Sequence, residues 1–258
     1  MPAVLLMTMA HPPRFEPLPR QTPRVVAVVP AAGKGLRMGG AVPKQFLSLG
    51  GEPIVVHSLR ALQSAACVHE IILAVPQADL DYCVNDLAIR YGFSKITKVV
   101  PGGKERQDSV RHALEHVADE TEIVVVHDAV RPFLTVKMLE DVVAAARQVG
   151  GAIVALPMRD TVKEVGAGHR IRRTIDRQPL WLAQTPQAFR RTWLQEAHRK
   201  AHAENVHATD DAFLFEWAGH PVVVVEGSGE NIKVTRPEDM IIGEAILGAR
   251  RGGQPGGR

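Results

Sequence analysis

The sequence predicts an α/β fold, a doubly wound and mostly parallel sheet. Three observations carry that reading. Short apolar runs rich in valine and isoleucine recur along the chain, helix-length amphipathic segments fall between them, and Gly, Lys, Arg, His and Asp gather directly after the runs. Runs without polar alternation belong to strands buried on both faces, which requires helices on each side of the sheet.

The predicted strands are VVAVVP (25–30), IILAVP (71–76), ITKVVP (96–101), EIVVVHD (122–128), GAIVALP (151–157) and PVVVVEG (221–227). Helical character falls at 53–65, 80–91, 106–117 and 136–149. In the last of these Thr135 can cap the helix, and Val136, Leu139, Val142, Val143, Ala146 and Val149 share one face. Near the end, Thr235 and Glu238 have capping-box spacing ahead of Met240, Ile241, Ala245 and Ile246. One segment breaks the alternation. In DTVKEVGAGHRIRRTIDR (160–177), two charged, β-prone stretches flank a turn at Gly166 to Gly168. This hairpin carries too little apolar surface to fold alone, so it either packs on a second surface or stands in solvent. Residues 1–24 and 249–258 read as flexible extensions around one domain, 25–248, with the arm at about 158–178.

Composition removes several classes. The chain has 258 residues, 45% of them hydrophobic, enough for a real core. Its longest apolar stretch, Val25 to Ala32, is far short of the roughly 20 residues of a membrane span. The formal charge of +3 comes from the two ends: between 25 and 249 there are 25 basic and 27 acidic residues, so the folded part has no excess of base for nucleic acid. Two cysteines, Cys67 and Cys83, make no disulfide framework or metal motif and suit a reducing compartment. With no secretory signal pattern at the N-terminus, a soluble cytoplasmic protein is expected.

The chemistry lies at the predicted strand ends. PAAGKGLRMGGAVPKQ (30–45) combines small residues, which let backbone approach a phosphate, with Lys34, Arg37 and Lys44. It is a phosphate cradle rather than a plain turn on the count of cations. Met38 stands where a dinucleotide fingerprint needs its third glycine, and no Gly-Lys-Ser/Thr closes a P-loop. The fourth run delivers His127 and Asp128, with Arg131 on the following turn. Asp128 is well placed to hold Mg²⁺, the alternative being an N-cap or a structural ion pair with Arg131.

PAAGKGLRM with PKQF, GGKERQDSV (102–110), HDAVRP (127–132), RDTVK (159–163), TIDR (174–177), QTPQAF (184–189) and NIKVTRPED (231–239) occur in order over almost all of 25–248. In this the sequence resembles the 2-C-methyl-D-erythritol 4-phosphate cytidylyltransferases of non-mevalonate isoprenoid biosynthesis. The resemblance implies a Rossmann-like sheet of the nucleotide-diphospho-sugar transferase type, and transfer of CMP from CTP to the polyol phosphate with release of pyrophosphate. Arg37, Lys44, Arg177 and Lys233 would be catalytic. Ala31, Ala32, Gly33, Gly35, Gly103, Lys104 and Ser109 would bind CTP. Asp128, Arg131, Thr161, Arg177, Thr185, Thr209 and Lys233 would hold the acceptor, with Asp128 also binding Mg²⁺ or another divalent cation. The arm would pack on a second subunit of a homodimer. Departures from the family pattern are Val130, where a second alanine is common, and Asp211, where a glutamate is; neither is expected to touch a catalytic charge. Ribitol 5-phosphate cytidylyltransferase, with similar motifs, is the alternative enzyme, and a nucleotide-binding regulator without turnover the alternative of another class. With the last helix about ten residues from the final residue, no cyclase domain is expected to follow.

Overall fold

The computed structural model describes residues 24–33 and 42–252. In chain order the elements are β1 (Arg24–Pro30), β2 (Ser48–Leu49), β3 (Glu52–Pro53), α1 (Ile54–Ser64), β4 (Glu70–Val75), α2 (Leu80–Tyr82), β5 (Ile96–Pro101), α3 (Arg106–Leu114), β6 (Thr121–Val126) and α4 (Val136–Val149). There follow β7 (Gly151–Pro157), β8 (Val162–Val165), β9 (Ile171–Ile175), β10 (Trp181–Arg190), α5 (Arg191–Ala203), α6 (Asp211–Trp217), β11 (Val222–Glu226) and α7 (Pro237–Gly252). Seven strands form the central sheet in the order β11-β7-β10-β6-β1-β4-β5. All its pairings are parallel except those of β10, which runs antiparallel to both neighbours.

The six predicted strands are all present, and the reason is visible in β1. Val25, Ala27 and Val29 face a core with Leu59 and Leu62 of α1 and Leu139, Val142, Val143 and Ala146 of α4. Val26 and Val28 face the opposite core with Val110, Ala113 and Leu114 of α3, Leu194 of α5 and Phe215 of α6. A strand buried on both sides has no room for polar alternation. Thr135 caps α4 as expected, its Oγ1 accepting from the Met138 amide at 3.2 Å.

Three expectations need correction. Strand β10 was not foreseen, because QTPQ reads as a polar turn and proline seldom sits in a central strand. The ladder to β7 shifts register between Ala183 and Gln187, which leaves Pro186 no ladder bond to make there. Ahead of α7 the Thr235 amide, its hydroxyl and the Arg236 amide all donate to Asp239, not to Glu238. The helix starts at Pro237, one residue later than the sequence spacing assumed, and the carboxylate that reaches back is correspondingly one residue on. The expected extensions lie largely outside the described residues, yet Arg24 opens β1 and α7 runs through Arg250 and Arg251 to Gly252. Arg250 bonds Glu230 and the Phe133 carbonyl, and Arg251 bonds the Gly50 carbonyl, so both are anchored.

The hairpin of β8 and β9 stands off the sheet, and no residue from Leu156 to Ala183 is buried. Its two strands are held by Lys163 on Thr174 and Arg173 on Glu164, and Val165 and Ile171 are more than half exposed.

At the junction of α4 and β7, Gly150 has φ +112°, and a Cβ there would lie 2.3 Å from Trp193 Cζ3. A side chain would pay for the left-handed backbone and displace the indole as well. Gly150→Ala is expected to cost about 2 kcal/mol or more, read as a lower urea midpoint at unchanged m-value.

Candidate active site

The carboxyl ends of β1, β5 and β6 open on one cleft of about 790 Å³. Its floor is the end of β1. The Ala31 amide donates to the Ala74 carbonyl at 2.7 Å, and the buried Gln45 side chain donates to the Ala31 carbonyl at 2.6 Å. Gln45 thereby ties the Lys44–Phe46 turn to β1 and brings Lys44 to the rim, while the Phe46 ring meets Tyr82 edge-on at 5.1 Å. Opposite, Gly102 follows β5 so closely that a Cβ would lie 2.3 Å from Ala32 Cβ. The Gly103 amide donates to Ser109 Oγ at 3.1 Å, and that hydroxyl donates on to the Glu105 carbonyl. Ser109 shapes the loop at the start of α3, with Glu105 and Asp108 closing a capping box.

Asp128 stands just past β6 and is 5% exposed. Arg106 Nε donates to its Oδ1 at 2.8 Å, Lys233 Nζ lies 2.7 Å from its Oδ2, and Arg131 Nε is 3.8 Å from Oδ2. Burial alone would raise this carboxyl, but Arg106, Lys233 and Arg131 outweigh it and hold Asp128 well below the usual carboxylate range. Its amide donates to Thr185 Oγ1 at 3.0 Å. That leaves the Thr185 hydroxyl proton for His127 Nδ1, 3.2 Å away, and makes Nε2 the nitrogen that donates to the Arg131 carbonyl at 3.1 Å. Burial pushes the His127 imidazole down to about 4, so it is neutral at pH 7 and serves as a packed bridge rather than a charge.

The cleft brings together Ala31, Ala32, Gly33, Lys44, Gly103, Lys104, Ser109, Asp128 and Lys233, nine of the residues singled out from sequence. Arg131 adjoins it, donating to the Asn231 carbonyl at 2.8 Å, and Thr185 supports it from β10. Thr209 is exposed on the turn before α6 and is not among the lining residues. Thr161 and Arg177 are elsewhere, on the arm, around a separate hollow with Thr174, Ile175 and Asp176. Gly35 and Arg37 lie outside the described residues. Sequence reasoning missed Arg106, which reads as part of the solvated run KER. It is instead clamped between Asp128 and Asp211, its Nη1 donating to Asp211 Oδ2 at 2.7 Å. Asp211 touches none of the described residues expected to be catalytic, but through Arg106 it is one side chain from Asp128. The signal was available as a departure from the family pattern, but no spacing rule connects residues 106 and 211.

The donor set suits a cation that brings most of its ligands with it. Among the described residues no three His, Cys, Asp or Glu side chains converge on a point. Asp128 with phosphate oxygens and water fits Mg²⁺, provided Lys233 yields Oδ2.

The family model of 2-C-methyl-D-erythritol 4-phosphate cytidylyltransferase matches residues 25–249. The chain belongs to that family. Among curated cytidylyltransferases of this name, the protein of Syntrophus aciditrophicus is 49% identical over 89% of this chain and 98% of its own, and that of Pelotomaculum thermopropionicum 47% over 89% and 96%. Among solved structures, 4-diphosphocytidyl-2C-methyl-D-erythritol synthase from Anaerococcus prevotii superposes with a TM-score of 0.77 at 30% identity, covering 88% of this chain and 96% of its own. The 2-C-methyl-D-erythritol 4-phosphate cytidylyltransferase of Thermus thermophilus does so with 0.70 at 32%, over 86% and 97%. These neighbours share the Rossmann-like architecture of this cytidylyltransferase-family chain.

Asp211 is buried, and although burial raises its carboxyl, Arg106 and the His198 hydrogen bond bring it down to about 2. Because the folded value is the lower, its stabilisation is complete above the unfolded value near 3.8 and drains away as pH falls toward 2. The gap in unfolding free energy between the native chain and Asp211→Asn should narrow by about 1 kcal/mol on going from pH 5 to pH 3, measured by urea titration.

Proposed function

We propose that this protein transfers CMP from CTP to 2-C-methyl-D-erythritol 4-phosphate, releasing pyrophosphate. The observation that carries the reading is the convergence of Lys44, Asp128 and Lys233 with the Gly103–Ser109 loop on one cleft, in a chain of this family. A phosphate oxygen of the acceptor attacks the α-phosphorus of CTP in line, and the bond from that phosphorus to the pyrophosphate oxygen breaks. The attacking phosphate is already ionised, so no general base is required. The protein's task is to place two anions together and to neutralise charge on the phosphorus.

Lys44 at the rim of the β1 loop supplies that charge, together with Arg37. Ala31, Ala32, Gly33, Gly35, Gly103, Lys104 and Ser109 hold the nucleotide, while Arg131, Thr185, Thr209 and Lys233 hold the acceptor. Mg²⁺, when bound, offsets the triphosphate charge, and Asp128 is the carboxylate that would hold it. A cytoplasmic location suits phosphorylated substrates and the two unpaired cysteines, and no helix among the described residues is long and apolar enough to cross a membrane.

Thr161 and Arg177 complete the acceptor site from the arm of a second copy. What supports this is an 18-residue hairpin segment with no buried residue and with both side chains around their own hollow, apart from the cleft.

Pyrophosphate release from CTP and Mg²⁺ should be fastest with methylerythritol phosphate; faster release with ribitol 5-phosphate would reverse the substrate assignment. In that assay Lys44→Ala should lower kcat by about 10²-fold or more with the melting temperature unmoved.

Mixing inactive Lys44→Ala and Arg177→Ala chains should restore about a quarter of native activity, since about half the dimers acquire one intact site of two. Zero recovery, with subunit exchange established by native mass spectrometry, would return Arg177 to its own subunit's site or to none.

A further inference from the structure

Behind Asp128 runs a chain of buried charge that the proposed reaction does not use. Arg106 spans two carboxylates, Asp128 through Nε at 2.8 Å and Asp211 through Nη1 at 2.7 Å. Asp211 in turn accepts from His198 Nε2 at 3.0 Å, and both Asp211 and His198 are 1% exposed. Next to Arg106, the Gln107 side chain donates to the Val206 carbonyl and accepts from the Ala208 amide, fixing the turn before α6 to the start of α3.

The guanidinium is planar, so two carboxylates on different edges define its orientation as one could not. Arg106 has Nε and Nη1 engaged, and its Nη2, although without a partner, is buried away from any phosphate in the cleft. What it does instead is occupy Oδ1 of Asp128, leaving Oδ2 to face Lys233. If Asp211 lost its charge, Arg106 would keep one anchor, the Asp128 carboxylate could turn about its last torsion, and Lys233 would turn with it.

We propose that Asp211, acting through Arg106, is a positioning residue for the Asp128–Lys233 pair and so sets the affinity for the polyol phosphate without touching either substrate. The proposal rests on the cytidylyl-transfer reading for the identity of the acceptor. Asp211 is not among the residues lining the cleft, and the nucleotide side is built from Ala31, Gly103 and Ser109, whose hydrogen bonds do not pass through it. The effect of its loss should therefore be one-sided.

The test uses the full chain. CTP affinity is measured by equilibrium dialysis without Mg²⁺ and without acceptor, so that Asp128 as a metal ligand does not enter, and the KM for methylerythritol phosphate is measured at saturating CTP with Mg²⁺. Asp211→Asn should raise that KM by about 10-fold or more, the scale for losing the outer partner of a functional ligand, with CTP affinity held within about twofold. Asp211→Glu, which keeps the charge, should recover most of the loss. An unchanged acceptor KM in Asp211→Asn overturns the proposal, as does an equal weakening of CTP and acceptor, or a glutamate variant no better than the asparagine one. Should Asp211→Asn fail to fold, the Arg106→Gln/Asp211→Asn chain, which removes one charge of each sign, carries the same expectation and the same refutation. A native chain that binds CTP but releases no pyrophosphate with the acceptor would instead sink the functional reading, and is seen before any variant is made.

Discussion

A carboxylate buried at the end of a central strand is tolerable only if cations are buried with it. Asp128 is such a group, and meeting that requirement organises the rest of the site. Arg106 must leave the surface of α3, Lys233 must be delivered by the segment leading into α7, and Arg131 must fold back within its own turn. Three parts of the chain, each more than 20 residues from the next nearest except at the turn itself, are drawn to one side chain. Removing the acid would leave three cations facing one another, so the elements that carry them hold their places because Asp128 does.

The sheet determines where this can happen. From β1 the chain moves outward through β4 to β5 and then returns to place β6 on the other side of β1. Loops leaving β1 and β6 therefore diverge, and a crevice opens at their carboxyl ends, as it does wherever strand order reverses in an open α/β sheet. Ala31 and Asp128 stand on its two sides. On the β5 side Gly102 leaves no space for a methyl group against Ala32.

How much of this could be read beforehand divides along a physical line. Strands buried on both faces were legible because burial suppresses polar residues, and α4 because both its cap and its face are local patterns. The cleft residues were legible where they sit in short motifs, as Lys44, Asp128 and Lys233 do. What escaped was held by contacts distant in sequence. The polar run of β10 is a strand because Asp210 and Asn231 engage Gln187, Gln184 and the Thr185 carbonyl. Arg106 resembles a surface arginine until Asp211, 105 residues later, is folded against it. The segment 249–252 looked like a tail because its anchors, Glu230, Phe133 and Gly50, lie in three other parts of the chain.

The path of β10 has a consequence of its own. The strand leaves the exposed arm at Trp181, passes beside β7, and four residues on sets Thr185 beneath the Asp128 amide, a span of about 13 Å at the usual rise per residue. One beam of backbone is therefore the root of the projecting arm and the support of the buried acid. From the arm to Asp128 the path is the covalent backbone of β10 followed by one hydrogen bond. A contact made on the arm is therefore one continuous strand away from the side chain that supports the buried acid.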